Sequence, residues 1–271
     1  VSISTQPAAG VVATDGATVS YSVGTSGGIA PLEFDWTGPA ADSDAPTYAF
    51  PVTLADDGAT ISVEVIAGAS DDPGSTAPTT ALSTPVTLTV IEPVTATDPT
   101  PASTAVLATA APVTLSSTIA GGSGSLSFEW FAGATSLGAG NGDGTIDVDP
   151  STLPLGASNI TLTVTDTGVD FGATSVTTGA ASFTTAAELS ITDDLPPAVS
   201  SPAEQPFSYN IGVEGGLGTI DYEWQRSLTP VEEGGEKGLT FETITPGGNI
   251  SIASGPTGST LSFSPLAIED A

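Results

Sequence analysis

The sequence has no cysteine, no methionine and no histidine, and only two of its 271 residues, Arg226 and Lys237, carry a side-chain cation. Without cysteine there are no disulfides and no thiolate metal sites. Without histidine or cysteine there is no imidazole base and no thiolate nucleophile, and one Arg with one Lys leaves almost nothing to clamp a phosphate or an oxyanion. A carboxylate pair for glycoside hydrolysis is chemically available, but nothing marks one pair out among many scattered acids, so the expectation is a protein that is not an enzyme. The first 225 residues hold no side-chain cation at all. That excludes nucleic acid as a natural partner, because phosphate binding works by several Lys or Arg displacing counterions, and it argues against docking on anionic lipid. No apolar run approaches the roughly 18 residues of a membrane span. The chain opens at Val1 with neither a basic nor an apolar leader, as expected if a signal has been removed or if this is an internal fragment.

What the sequence has in excess is acid. Thirty-one Asp and Glu give a formal charge of −29. Carboxylates keep a chain rich in Ala, Thr, Ser and Gly in solution, and their mutual repulsion opposes compaction. Salt shortens the Debye length to about 8 Å at physiological strength and relieves that repulsion, and bound Ca²⁺ would relieve it more directly. The composition suits seawater, brine or a calcium-rich exterior, and it also suits plain surface hydration.

The three tryptophans, Trp36, Trp130 and Trp224, are spaced 94 residues apart in both intervals. Each closes the same pattern: GGIAPLEFDW (Gly27 to Trp36), GGSGSLSFEW (Gly121 to Trp130) and GGLGTIDYEW (Gly215 to Trp224). A fixed period with a local match of this kind marks internal duplication. Before each Gly-Gly the apolar residues alternate. Val19, Tyr21 and Val23 do so in the first repeat, and Phe207, Tyr209, Ile211 and Val213 in the third. In the second, Val113, Leu115 and Ile119 are interrupted at Ser117. Period two predicts a strand with one buried face. Further strands are expected at Tyr48 and Phe50, at Ile146 and Val148, and at Leu261 and Phe263, then at ISVEV (61–65) and ITLTV (160–164). VTLTV (86–90) closes the first repeat, and a weaker strand near 182–189 closes the second. Helical periodicity is nearly absent, and 22 Pro and 32 Gly interrupt the chain too often for long helices.

Several short strands per 94 residues read as a β-sandwich. The pattern resembles tandem bacterial immunoglobulin-like (Ig-like/PKD-like) surface-protein repeats, and the resemblance rests on a Trp closing the third strand, at Trp36, Trp130 and Trp224. TLADDGATISV (53–63) is similar to the acidic-Gly turn before the penultimate strand of such domains, and LAIEDA (266–271) to its beginning. No cysteine pair flanks the Trp, and the usual corner tyrosine is missing from the first two repeats. The implied fold is all-β: three tandem immunoglobulin-like Greek-key sandwiches in a rod on the order of 100 Å long, with a bacterial or archaeal exterior as the setting. The repeats are expected at 1–92, 93–187 and 188–271, joined by Pro-bearing, rather stiff junctions.

The third repeat has a longer middle, with 37 residues from Trp224 to Leu261 against 12 from Trp36 to Tyr48. The stretch from Ser227 to Gly255 should add one or two strands and a longer hairpin, and the repeat should stop before its last two strands. Either the chain is part of a longer repetitive protein, or a strand from a neighbouring molecule completes the open sheet.

Among candidate sites, NGDGTIDVD (141–149) places Asn141, Asp143 and Asp147 at offsets found in calcium loops, although Ala139 and Pro150 stand where the end ligands belong. Asn-Gly and Asp-Gly are equally hairpin residues. The acidic pairs Asp42 with Asp44, Asp56-Asp57, Asp71-Asp72, Glu232-Glu233 and Glu269-Asp270 read as solvated surface; Asp193-Asp194, at a junction, is the best inter-repeat calcium candidate. Asn159 in NIT and Asn249 in NIS match glycosylation acceptors, and Asn159 opens a strand, which should limit access to it. The tryptophans read as core rather than as sugar-stacking platforms.

The function expected is a structural protein of an extracellular surface layer or filament, assembling with copies of itself or continuing into a longer chain, with calcium as a candidate stabiliser. The alternatives are the stalk or the carbohydrate- or surface-binding part of a large adhesin, and a virion fibre or decoration protein.

Overall fold

The computed structural model describes residues 1–41, 43–68, 79–196, 205–227, 241–247 and 250–263. Asn249, Lys237, Asp42, Asp71, Asp72, Glu232, Glu233 and the segment 266–271 therefore lie outside the described residues. Those described form strands, two short 3-10 turns (Leu54–Asp56 and Pro150–Thr152) and connections, with no α-helix. None of their helical segments is long and apolar enough to cross a membrane. By compactness the chain divides into two units. The first holds Val1–Ser103, Thr114–Val148 and Asn159–Ser182, and the second holds Thr104–Val113, Asp149–Ser158 and Phe183–Ala271. The first unit thus takes in the expected repeat one, 1–92, and most of the expected repeat two, 93–187.

The described residues of repeat one form ten strands: β1 (Ser2–Thr5), β2 (Val12–Thr14), β3 (Thr18–Ser22), β4 (Gly24–Ser26), β5 (Leu32–Thr37), β6 (Thr47–Pro51), β7 (Thr60–Ala67), β8 (Thr79–Leu82), β9 (Val86–Thr87) and β10 (Thr89–Ile91). Strand β3 skips β5 to pair antiparallel with β6, setting Val19 opposite Phe50 and Tyr21 opposite Tyr48. Strand β5 skips β6 to pair with β7, setting Trp36 opposite Val63. This interleaving between two sheets is the Greek-key connection of a sandwich. The alternating residues bury together: Val19, Tyr21, Tyr48, Phe50, Ile61, Val63 and Val65 are all within one core. Trp36 on one sheet stacks on Tyr48 of the other, with centroids 5.4 Å apart and planes at 12°. Its indole N–H donates to the Ala45 carbonyl at 2.9 Å, so the buried polar atom is satisfied. Strand β2 runs parallel to β10, which ties the start of the repeat to its end.

Repeat two follows with β11 (Thr95–Ala96), β12 (Ser103–Leu107), β13 (Val113–Ser116), β14 (Ile119–Ala120), β15 (Leu126–Ala132), β16 (Thr135–Gly138), β17 (Thr145–Val148), β18 (Gly156–Asp166), β19 (Ser175–Thr177) and β20 (Ala181–Ala186). In the first unit β13 pairs with β17, and β15 pairs with β18 so that Trp130 faces Leu162. These are the pairings of repeat one at equivalent positions. Leu115, Trp130, Ile160, Leu162 and Val164 are fully buried. The interruption at Ser117 has a physical cause. Its hydroxyl donates to the Thr97 carbonyl at 2.6 Å, and there the chain leaves β17 and, as β14, pairs with β11.

In the second unit β12 lies beside β20, with Ala108 N donating to Ala186 O at 2.8 Å. Repeat three contributes β21 (Ser190–Asp193), β22 (Phe207–Glu214), β23 (Gln225–Ser227), β24 (Phe241–Thr243), β25 (Ile250–Gly255) and β26 (Gly258–Phe263). A four-stranded sheet has the order β21-β22-β26-β25, and β23 pairs with β24. Tyr209 faces Leu261, the third instance of the β3–β6 pairing. The long middle adds two strands, β24 and β25. The third repeat departs from the sequence pattern at its tryptophan. No strand ends at Trp224; regular structure starts one residue later, at Gln225. Trp224 bonds through its carbonyl to Ile244 N at 2.7 Å.

Candidate functional site

The Gly-Gly pair that begins each repeat signature supplies backbone no other residue adopts easily. Gly27 and Gly28 have φ of +67° and +89°, Gly121 and Gly122 +71° and +81°, and Gly215 and Gly216 +76° and +82°. All lie in the left-handed region, where a Cβ is penalised. The turn delivers the chain to the strand that carries Trp36 or Trp130. Trp36 is 3% exposed and Trp130 is fully buried. Trp224 is half-buried, and its indole N–H donates to Ser259 Oγ at 2.8 Å.

The stretch from Asn141 to Asp149 folds as a tight turn into β17. Asn141 N donates to the Thr145 carbonyl at 2.9 Å. Asp143 Oδ1 accepts from Thr145 N at 3.0 Å and from Thr145 Oγ1 at 2.6 Å. Those bonds, the hydroxyl's first, hold its carboxyl below the usual range. Asp147 Oδ1 accepts from Thr114 Oγ1 on the neighbouring strand. The two carboxylates of the candidate calcium loop are thus committed to different Thr partners. Asp193 is exposed on β21, and Asp194 Oδ1 accepts from Leu195 N at 2.7 Å. Among the described residues no group of three or more His, Cys, Asp or Glu is placed to hold a metal. Asn159 is exposed on β18, so its strand position leaves the side chain reachable.

Asp56 and Asp57, expected as solvated surface, also accept backbone hydrogen bonds, and so does Asp149 of the 141–149 stretch. Asp56 Oδ2 accepts from Thr53 N at 2.7 Å and from Thr53 Oγ1 at 2.9 Å, closing the short turn before β7. Asp57 Oδ1 accepts from Val90 N at 2.9 Å. Asp149 Oδ1 caps the second 3-10 turn through Ser151 N and Oγ. Arg226 is paired with Glu242 across β23 and β24.

Two features escaped the sequence reading. The first is Asp166, 2% exposed at the end of β18. Its Oδ2 accepts from Ser123 N at 2.6 Å and its Oδ1 from Gly168 N at 3.0 Å and from Ser123 Oγ. Burial by itself raises this carboxyl, and the three hydrogen bonds outweigh it, so the group sits below the ordinary carboxylate range. The register that sets Leu126 opposite Asp166 sets Leu32 opposite Ala67 in repeat one. An acid replacing alanine at the end of a core strand was the available signal.

The second feature is the loop that follows. Within the first unit, Asp170 and Phe171 of repeat two reach β2 of repeat one. Asp170 N and Phe171 N donate to the Val12 carbonyl at 2.8 and 3.3 Å, and Thr14 N donates to the Phe171 carbonyl at 3.0 Å. Val12 N donates to Asp170 Oδ2 at 2.9 Å, and Ala173 N to Thr14 Oγ1 at 3.1 Å. Ala13 and Phe171 form a parallel bridge.

The second unit holds a shallow cleft of about 370 Å³ lined by Leu107, Leu189, Leu217, Ile220 and Asp221 among others. It offers one carboxylate and no aromatic platform.

No protein-family model matches this chain, and neither does any curated protein. Among solved structures it is similar to the I-band fragment I67–I69 of titin, with 13% identity over 99% of this chain and 89% of that one and a TM-score of 0.53. The same figures hold for a variant of those titin domains with Glu changed to Ala. At that identity the likeness speaks to the fold alone: this chain is built from tandem immunoglobulin-like β-sandwich repeats.

Proposed function

We propose that this chain is a non-enzymatic structural or adhesive segment of an extracellular, cell-surface assembly. Its immunoglobulin-like repeats span 1–92, 93–187 and 188–271 and serve as spacers in a layer, filament or stalk. The observation that carries this reading is the junction of repeats one and two. It is made mostly of main-chain hydrogen bonds between a loop and a strand edge, with Asp170 and Thr14 side chains accepting two more, which suits a part that bears load along the chain. The chemistry of the acids agrees. Among the described residues the carboxylates with displaced titration, Asp143, Asp149, Asp166 and Glu223, are all moved down by hydrogen bonds. They are therefore held as anions, the opposite of what a general acid requires. A charge of −29 keeps such a surface hydrated and makes calcium the natural counterion for lateral contacts.

The test is the particle size of the native protein by light scattering, before and after a calcium chelator. Large particles that collapse on chelation support a calcium-held layer or filament. Large particles indifferent to chelator support assembly by direct contact between copies. A monomer in both conditions overturns self-assembly and leaves the stalk role.

A further inference from the structure

Strand β2 is three residues long, yet both of its edges are occupied. Odd-numbered positions bond the end of repeat one: Thr89 N donates to the Val11 carbonyl at 3.0 Å and Asp15 N to the Ile91 carbonyl at 2.8 Å. Even-numbered positions, Val12 and Thr14, turn the other way and take the loop of repeat two. Alternation of this kind is what a strand interior shows. The loop of repeat two therefore occupies the second edge of β2 through a single parallel bridge, Ala13 to Phe171.

We propose that repeats one and two form a single cooperative unit, in which the loop 168–173 of repeat two latches β2 and keeps repeat one from opening while repeat two is folded. Three observations fit the loop for that task. Phe171 packs its ring against the core of repeat one, so the latch buries apolar surface as well as hydrogen bonds. Gly172, at φ +107°, passes so close to β2 that a Cβ there would collide with Thr14 Oγ1. The loop is also organised from its own side. Asp166 N donates to the Thr174 carbonyl at 2.6 Å, Thr167 N to the Ser125 carbonyl at 2.9 Å, and Gly168 N to Asp166 Oδ1. A loop ordered in advance loses little entropy when it docks. Short terminal strands are where a sandwich begins to fray, so fastening β2 makes loss of repeat one conditional on loss of the junction.

Hydrogen exchange on the full chain tests this. Gly172→Ala should make the Val12 and Thr14 amides exchange at least about tenfold faster, with the Ile160–Val164 amides of β18 unchanged. Asp170→Ala, at an exposed position, removes only the bond to Val12 N and should accelerate Val12 alone. In a denaturant series the wild-type amides of β7 and β18 should lose protection together, and in Gly172→Ala those of β7 should go first. Unchanged exchange at Val12 and Thr14 in both variants, or separate wild-type transitions for β7 and β18, would overturn the proposal.

Discussion

Asp166 shows how one side chain can give part of a domain's stability a pH dependence. Its buried carboxylate satisfies two backbone N–H groups and a hydroxyl of the Ser123 turn and the Gly168 loop. Asp166→Ala leaves those donors unpaired and is expected to cost about 2 kcal/mol, measured by denaturant unfolding of the full chain. The pH dependence follows from the direction of the shift. The folded-state value is depressed, so at low pH the unfolded state binds the extra proton. The contribution is complete above the unfolded carboxylate value of about 3.9 and is lost as pH falls through the lower folded value. Unfolding midpoints of the wild type and of Asp166→Asn should therefore converge in acid and separate near neutrality. The tryptophans differ at the same scale. Trp36 and Trp130 sit in closed cores, but Trp224 is half-buried. Among the described residues of repeat three, no strand equivalent to β7 or β18 lies over its sheet. The same sequence signature met a different environment.

Between neighbouring strands, the Gly-Gly turns are sensitive to substitution, though not equally. Gly27 has open space around a would-be Cβ, whereas one on Gly121 would run into the Pro93 carbonyl. Gly27→Ala should cost only the left-handed penalty of about 1 kcal/mol. Gly121→Ala should cost at least about twice that, since backbone must also move. Thermal unfolding of the two variants compares them directly, and equal losses would mean that the Gly121 turn relaxes freely. The alternation seen in sequence at Val19, Tyr21, Tyr48 and Phe50 is the alternation found in the core, in register across β3 and β6. It was legible because a strand's buried face depends only on period two. The Asn141–Asp149 stretch was half legible. Its turn follows from Asn-Gly and Asp-Gly, and Asp143 takes a partner two residues on, but the partner of Asp147 is Thr114, 33 residues away.

For the whole molecule the governing fact is charge of one sign. With 31 acids and two cations, folding brings carboxylates together and raises their mutual repulsion. The melting temperature should rise by several degrees between about 10 mM and 0.5 M NaCl as the Debye length shrinks from about 30 Å to a few Å. If screening alone operates, millimolar CaCl₂ will do no more than NaCl of equal ionic strength. An excess effect of Ca²⁺ would mean that carboxylates bind it specifically.

The 94-residue period, most of the strands with their buried faces, the glycine turns and the anionic charge are legible along the chain, because they depend on composition or on residues close together in it. The folded arrangement alone brings Asp170 to Val12, 158 residues away. It also decided that Gly172 would pass against Thr14 and that Asp166 would be buried under the Ser123 turn. The latch is built mostly from backbone amides and carbonyls, which every residue has. Their pairing is set by where the folded repeats place two strand edges, and no residue pattern announces it.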